Sequence, residues 1–178
     1  MAAILVIISL VTYFSSQSVN PVTKDVQHIS MSADQEIAMG LQAAPEMADQ
    51  FGGLDSSQAD QRMVQQVGMR VVQGSPAGTT PYQFAFHLLA DPKTVNAFAL
   101  PGGQIFITRA LYDRLESEAQ LAGVLGPESG HVVARHSAEQ IAKAQLTQGL
   151  SGAAVIAACD PNSPSGCMAA SQVAAVVG

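Results

Sequence analysis

Apolar residues recur along this chain with two different spacings, and the spacing distinguishes helical from strand regions. From Ile37 to Phe51 the apolar positions follow at steps of three and four residues, which predicts an amphipathic helix. Ser32 and Gln35 have the spacing of a capping box in front of it, and Pro45 predicts an interruption or a bend within it. We therefore expect a first amphipathic helix that begins at about residue 33.

A second start signal at 55–58 precedes another apolar stripe, and the pattern then changes to that of strands. The stripe consists of Val64, Val67, Val71 and Val72. Three short segments rich in aromatic and β-branched residues follow, at 82–89, 95–100 and 104–108. Because tight turns join them, we expect a small antiparallel sheet, followed by a short helix from about Arg109.

The longest helical segment is predicted from Ser117 to about Leu146, where Ser117 and Gln120 again have capping-box spacing. Gly126 and Pro127 lie within it. A proline inside a helix removes one backbone hydrogen bond and clashes with the preceding turn, at a cost of about 3 kcal/mol or more. We expect a bend or break there, and two small-residue helical pieces or a helical hairpin after residue 146.

Residues 1–14 are almost wholly apolar and uncharged. Such a stretch is shorter than the roughly 20 residues of a membrane-spanning helix, and no basic residue precedes it, since the first is Lys24. We interpret it as the end of a membrane anchor or a signal remnant, with a buried N-terminal strand or helix as the alternative. The polar segment 15–30 is predicted to be a linker, and 31–178 a single domain.

Composition narrows the range of partners. Of the 178 residues 48% are hydrophobic and 12% charged, which is typical of a globular domain with a core. The net charge of −6 and the scattered basic residues argue against nucleic acid as a partner. Cys159 and Cys167 flank a turn-rich loop and form either a small disulfide or two unpaired thiols, because their spacing does not fit a zinc knuckle.

Candidate chemistry lies in the long predicted helix, in the run from Gly126 to His136. Zinc peptidases place two imidazoles one helical turn apart, with a glutamate between them that activates the zinc-bound water. Glu128 and His131 hold the second and fifth places of that H-E-x-x-H pattern, but Pro127 holds the first. Since a lone histidine on a helix is more often structural than a ligand, this motif alone does not predict a zinc site.

Longer stretches around the motif carry a resemblance. The segments 96–108, 118–126 and 130–136 are similar to the strand, turn and zinc helix of the HtpX and CAAX-prenyl-protease type of zinc metalloendopeptidases (peptidase M, family 48). The apolar start, followed by Asn20-Pro21-Val22-Thr23, resembles the bacterial, periplasm-facing members. The resemblance implies a membrane-anchored protease of the cell envelope whose domain faces the periplasm and whose substrates are polypeptides, including misfolded proteins.

The resemblance also implies a fold and a set of site residues. The fold would be α+β, a gluzincin-like zinc metalloprotease domain that is mainly helical with a small antiparallel sheet beside the active-site helix. Glu128 would be the general base and His131 a zinc ligand. The strand that pairs with the substrate backbone would consist of Asn96, Ala97, Phe98 and Ala99.

Two neighbouring residues are assigned supporting roles. Five residues after His131, a regular helix would direct His136 about 140° away from it. We therefore expect His136 either to support the site from outside the metal or to be a buried, hydrogen-bonded imidazole. Arg135 is likewise expected to support the site from outside the metal or to have a structural role.

Two departures from the family pattern bear on activity. Pro127 has no metal-binding side-chain atom, and the family takes its third ligand from a glutamate on a later helix. After Glu139 the only acidic residue is Asp160, so we expect the chain to stop before that helix. Zinc is then not expected to be retained, and this copy is predicted to be impaired or inactive. The alternatives are a non-catalytic peptide-binding pseudoprotease and a decayed fragment.

Overall fold

The computed structural model describes residues 2–158, which form two compact units. One unit contains residues 2–20, 24–30 and 138–158, and the other contains 21–23 and 31–137. The helices are α1 (Ala2–Ser15), α2 (Ala33–Gln50), α3 (Gln58–Gln73), α4 (Arg109–Tyr112), α5 (Glu118–Val133) and α6 (His136–Ala158). The strands are β1 (Gln17–Val19), β2 (Val26–His28), β3 (Ala85–Leu89), β4 (Ala97–Ala99) and β5 (Gln104–Thr108). The predicted cysteine loop lies outside the described residues.

α2 and α5 begin where the capping signals predicted, whereas α3 is capped by Ser57, two residues after the Asp55 that opened the predicted signal. The backbone N–H of Gln35 donates to Ser32 Oγ at 3.2 Å, and the N–H of Ser32 donates to Gln35 Oε1 at 2.8 Å, which completes the capping box of α2. Ser57 and Ser117 accept in the same way at the starts of α3 and α5. These local hydrogen bonds satisfy backbone donors that a helix start leaves unpaired.

The long predicted helix is divided, but not at the proline. α5 continues through Pro127 and α2 continues through Pro45, so neither helix is interrupted at its proline. The bends expected at these two positions stay predictions. Gly126 has no Cβ to clash with the proline ring, which removes one of the two steric conflicts, and Pro127 lies on the exposed side of α5. The helical path ends instead at Val133, and α6 starts three residues later.

The three-stranded sheet has the order β3-β5-β4. β4 pairs antiparallel with β5, whereas β3 pairs parallel with β5, so the predicted fully antiparallel sheet is wrong. The chain leaves β3 and carries β4 to the far side of β5 before it returns through the turn at 101–103. As a result, β3 and β5 run in the same direction and are not joined to each other by a single turn.

Two apolar clusters sandwich this sheet within the larger unit. α3 and α5 cover one face, with a core of Val64, Val67, Phe86, Leu88, Ile105, Ile107, Leu121, Leu125 and Val132. On the other face, Leu89 and Phe106 meet Ala48 of α2. A Cβ at Gly68 would lie 2.3 Å from the Phe86 ring, so only glycine allows α3 to approach β3 this closely.

The N-terminal segment contains more order than the predicted linker. β1 and β2 form an antiparallel pair within 15–30. The rings of Tyr13 and His28 stack at 4.2 Å, and His28 Nδ1 lies 2.9 Å from the carbonyl oxygen of Tyr13. α1 is helical as its composition suggests and has no buried residue. Among residues 2–158, no helix combines the length and the apolar content needed to cross a membrane.

Candidate active site

Glu128 and His131 lie on α5, and their separation of three residues places them on one side of the helix. His131 is exposed and Glu128 is partly buried. Burial raises the pKa of Glu128, and the nearby imidazole of His131 partly opposes that effect. A carboxyl group with a raised pKa beside an imidazole is the combination expected of a general base, and Pro127 stands where the family pattern has a further imidazole.

His136 lies against His131, which corrects the prediction that it points away. The two Nδ1 atoms are 2.7 Å apart and the ring centroids 4.9 Å apart, and both side chains are exposed rather than buried. The cause is the break between α5 and α6. Arg135 has a φ of 58°, in the left-handed region, and this residue turns the chain so that His136 returns towards His131.

A buried ion pair holds that break in place. Arg135 Nε donates to Glu36 Oε1 at 2.8 Å, and its guanidinium also donates to the carbonyl oxygen of Met31 at 2.8 Å. Glu36 is 1% exposed, and the hydroxyl of Tyr82 lies 3.5 Å from both of its carboxylate oxygens. Arg135 thus joins α2 to the turn that precedes α6, and its partner Glu36 was not foreseen from the sequence.

Glu36 supports the turn beside His131, and the sequence reasoning missed this role. It shares one side of α2 with Gly40 and Ala48, at spacings that are multiples of four, and all three are buried. A carboxylate on an otherwise small and apolar helix face is a signal of a buried ion pair, because an unpaired charge there would be costly.

β4 borders the site and presents an open edge. Asn96 and Leu100 bond to β5, with Thr108 N–H donating to Asn96 O at 3.0 Å and Leu100 N–H donating to Gln104 O at 2.8 Å. In an antiparallel pair alternate residues bond to the partner strand, so the backbone groups of Ala97 and Ala99 point away from β5. Within the described part of the chain, these outward groups have no hydrogen-bond partner. The side chains of Ala97 and Ala99 pack against the cluster under α5, which brings this edge beside the helix of Glu128.

The opposite edge of the sheet is closed by side chains. Gln61 Nε2 donates to Leu88 O at 2.8 Å, and Leu88 N–H donates to Gln61 Oε1 at 3.0 Å. Phe86 N–H donates to Gln65 Oε1 at 2.8 Å. The two glutamines lie one turn apart on α3. Together with the backbone N–H of Asp55, which donates to Leu88 O at 2.9 Å, they take the place of a neighbouring strand. β4 is thus the edge of this sheet whose outward backbone groups have no partner in the described part of the chain.

The ligand set does not fit a catalytic zinc ion. Such an ion takes three protein ligands from His, Asp, Glu or Cys. Residues 2–158 contain no group of three such side chains that could hold a metal. Asp160 lies outside the described residues. His131 and Glu128 alone leave the family's arrangement incomplete.

Known proteins with similar sequences are metallopeptidases. A sequence model of the family described as Peptidase family M48 matches residues 58–177. The chain is 34% identical to the mitochondrial metalloendopeptidase OMA1 of Schizosaccharomyces pombe over 134 residues, which is 74% of this chain and 39% of that protein. It is 34% identical to the beta-barrel assembly-enhancing protease of Escherichia coli K12 over 103 residues, or 55% of this chain and 20% of that one. The matches therefore span well under half of either relative.

Proposed function

Since the chain belongs to peptidase family M48, we propose that it carries the polypeptide-binding part of a metalloendopeptidase site and binds extended polypeptides without cleaving them. The family and its relatives are metallopeptidases, which makes a polypeptide the expected ligand. One observation carries the proposal. An open strand edge at Ala97 and Ala99 lies beside a helix in which Pro127 stands in place of the first metal ligand of the family pattern.

The binding mode follows from the edge. A peptide that adds a strand to β4 gains main-chain hydrogen bonds from the outward groups of Ala97 and Ala99, so its affinity depends little on its sequence. Extended segments of unfolded proteins satisfy this requirement better than folded surfaces, which supports misfolded polypeptides as the substrate class.

The chemistry of the family pattern would use Glu128 and His131, with zinc supplying a polarised water molecule when bound. In this chain the carboxyl group of Glu128 is still present as a base, and its pKa is raised. His131 provides one imidazole nitrogen. Without the first imidazole the ion is not held in place, so we propose that hydrolysis does not proceed in this form.

The experiment measures binding and cleavage separately. We expect fluorescein-labelled reduced casein to bind the purified full chain in fluorescence anisotropy, while casein remains intact and the protein carries well under one zinc per chain. Chelator-sensitive cleavage, or stoichiometric zinc that survives dialysis, would contradict the inactive assignment. Absence of casein binding would contradict the binding role.

Replacing Pro127 by His extends the test. The change restores two imidazoles one turn apart and one backbone hydrogen bond, so zinc content should rise and the free energy of unfolding should increase by about 3 kcal/mol. Full proteolytic activity is not expected, because a third ligand is not present among the described residues. Full activity from this change alone would show that a third ligand already exists.

We also propose that α1 attaches the protein to the membrane of a bacterial cell envelope, with the peptidase domain facing the periplasm. Its apolar side chains are unusually exposed, with Ile7 at 59%, Val11 at 61% and Phe14 at 64%. α1 has no charged residue to oppose contact with lipid. Flotation with phosphatidylethanolamine and phosphatidylglycerol vesicles should recover the wild type but not a variant with Ile7→Glu and Val11→Glu.

A further inference from the structure

A cavity of about 360 Å³ lies between α2 and the sheet, on the face of the sheet that α3 and α5 do not cover. His87, Gln104 and Phe106 line it from the sheet. Leu41 and Leu54 line it at the surface, where they are 48% and 57% exposed. Cavities that bind small molecules enclose about 300–1,000 Å³, so this one lies at the lower end of that range. A single aromatic ring system is an occupant of suitable size.

A row of rings crosses the sheet beside the cavity. His87, Phe106 and Phe98 are paired in register on β3, β5 and β4. The ring centroids of His87 and Phe106 lie 4.9 Å apart, and those of Phe106 and Phe98 lie 5.2 Å apart. Phe51 packs on Phe98 at one end of the row, whereas the His87 end borders the cavity. Rings at such distances attract each other beyond the area that they bury, so a ring in the cavity would gain from contact with His87 and Phe106.

The hydrogen bonds of Gln104 determine which nitrogen of a neutral His87 carries the proton. Gln104 Nε2 donates to the carbonyl oxygen of Gln83 at 3.3 Å, and Gln104 Oε1 lies 3.0 Å from His87 Nε2. An amide oxygen only accepts, so Nε2 carries the proton and Nδ1 has the lone pair. Nothing donates to Nδ1 within the described residues, where no buried side-chain nitrogen lacks a partner. The Nδ1 atom is therefore an accessible hydrogen-bond acceptor.

We infer that this cavity binds an aromatic side chain of a polypeptide that can donate a hydrogen bond, tryptophan or tyrosine. The ring packs beside His87 and Phe106, and its N–H or O–H donates to His87 Nδ1. The inference rests on the proposed function for the class of ligand, a polypeptide. It does not rest on the open edge of β4, because β3 and β5 line the cavity and β4 does not.

The surroundings of the cavity favour a neutral residue that belongs to a longer chain. Asp49 lines the cavity and no Lys or Arg does so within the described residues, which disfavours phosphates and other anions. Leu41 and Leu54 extend the apolar surface outwards. Residues that flank the bound side chain can cover these leucines, whereas a free aromatic molecule would leave both in water.

The experiment makes use of the absence of tryptophan from this sequence. The fluorescence of the peptide acetyl-Leu-Trp-Leu-amide, excited where tyrosine does not absorb, reports on the peptide alone. We expect a saturable blue shift when the full chain is added, and an apparent Kd for N-acetyltryptophanamide that is weaker by about tenfold or more. Equal affinity for the amide and the peptide would overturn the inference, because flanking residues would then contribute nothing.

A second peptide tests the hydrogen bond. Acetyl-Leu-Phe-Leu-amide has a ring but no donor, so in competition it should bind roughly three- to tenfold more weakly than the tryptophan peptide. His87→Phe keeps a ring on β3 but removes the acceptor, and should make the affinities of the two peptides equal. Equal affinities in the wild type would overturn the inference without the need for any variant to fold.

Substitutions locate the site. Ala44→Phe should fill the cavity and weaken binding of the tryptophan peptide by about tenfold or more. Ala59→Phe is the matched control, since Ala59 is exposed on α3, and should leave the affinity unchanged. If Ala97→Pro abolishes binding of this peptide while Ala44→Phe retains it, the peptide binds at the edge of β4. That result would overturn the inference and support the proposed function, so the two proposals can fail separately.

Discussion

The two edges of the central sheet are treated in opposite ways. At β3 the glutamines at 61 and 65 occupy the outward backbone groups, so that no further strand can add. At β4 the outward groups of Ala97 and Ala99 have no partner in the described part of the chain. An exposed edge invites unwanted pairing, and proteins generally protect it. The contrast shows that the β3 edge is protected from further pairing, whereas the β4 edge, beside Glu128, is not.

The difference also shows what supports each edge. The closed edge depends on side chains of α3, which lie next to it. The open edge is supported from a distance, through the turn at 101–103 and α2. A Cβ at Gly40 would lie 1.9 Å from the carbonyl oxygen of Pro101, so α2 contacts this turn backbone to backbone. α2 is in turn fixed by the ion pair of Glu36 with Arg135.

The largest expected effect comes from the support of the open edge. Glu36→Gln leaves the guanidinium of Arg135, which is 17% exposed, without its carboxylate partner. Removal of one partner of a buried pair costs about 3 kcal/mol or more, so the free energy of unfolding in urea should fall by that amount. Glu118→Gln is the control, since its pair with Arg70 is exposed and should contribute less than about 1 kcal/mol. Similar losses in both variants would show that the buried pair has no special role.

Opening the closed edge should have a smaller effect. Gln61→Ala removes the acceptor of the Leu88 N–H, and Leu88 is fully buried. An unsatisfied buried donor costs about 1–3 kcal/mol, which urea denaturation would detect as a lower midpoint. Gln66→Ala, on the exposed side of the same helix, should change the free energy of unfolding by less than about 0.5 kcal/mol. Equal midpoints for Gln61→Ala and Gln66→Ala would remove the basis for calling this edge closed.

Blocking the open edge should affect binding more than stability. Ala97→Pro removes an outward N–H that has no partner within the described chain, and proline is tolerated on edge strands. We expect the free energy of unfolding to change little, but casein affinity to fall by about tenfold, or roughly 1.4 kcal/mol. Ala110→Ser, away from β4, provides a control for the anisotropy measurement. Unchanged casein affinity in the proline variant would mean that the peptide does not bind at the edge of β4.

The smallest effect concerns pH. The folded-state pKa of Glu128 is raised, so the folded protein binds this proton more tightly than the unfolded chain does. Its contribution is fully favourable below the unfolded value of 4.5 and is lost as the pH rises through the folded pKa. Glu128→Gln should therefore gain stability relative to wild type over that rise, by less than about 1 kcal/mol. A relative loss of stability with rising pH would mean that the carboxylate is stabilised rather than penalised by its surroundings.

Local features of the sequence predicted the elements well. The serines at 32 and 117 mark helix starts because a cap is formed within a few residues. β5 has the predicted bounds, since its run of five buried residues is typical of a central strand. The mostly helical α+β character with small sheets follows from the same local patterns.

Distant contacts explain what the sequence could not predict. The turn at Arg135 contains neither glycine nor proline, and the residues around it favour a continuous helix. It depends on Glu36, 99 positions earlier in the chain, so no local pattern announces it. The position of His136 beside His131 follows from that turn. In the same way, the parallel pairing of β3 with β5 depends on where β4 is placed, which turn signals do not specify.

The glutamine closure of β3 also affects the order in which the chain can fold. β4 and β5 are joined by a short turn and can pair early, because their residues are close in sequence. β3 must pair across a longer separation, and the closure requires α3 to dock as well. Until then the nascent hairpin has a free edge on both sides. During synthesis and refolding, aggregation should therefore compete with the docking of α3, so conditions that slow this step should lower the yield of soluble protein.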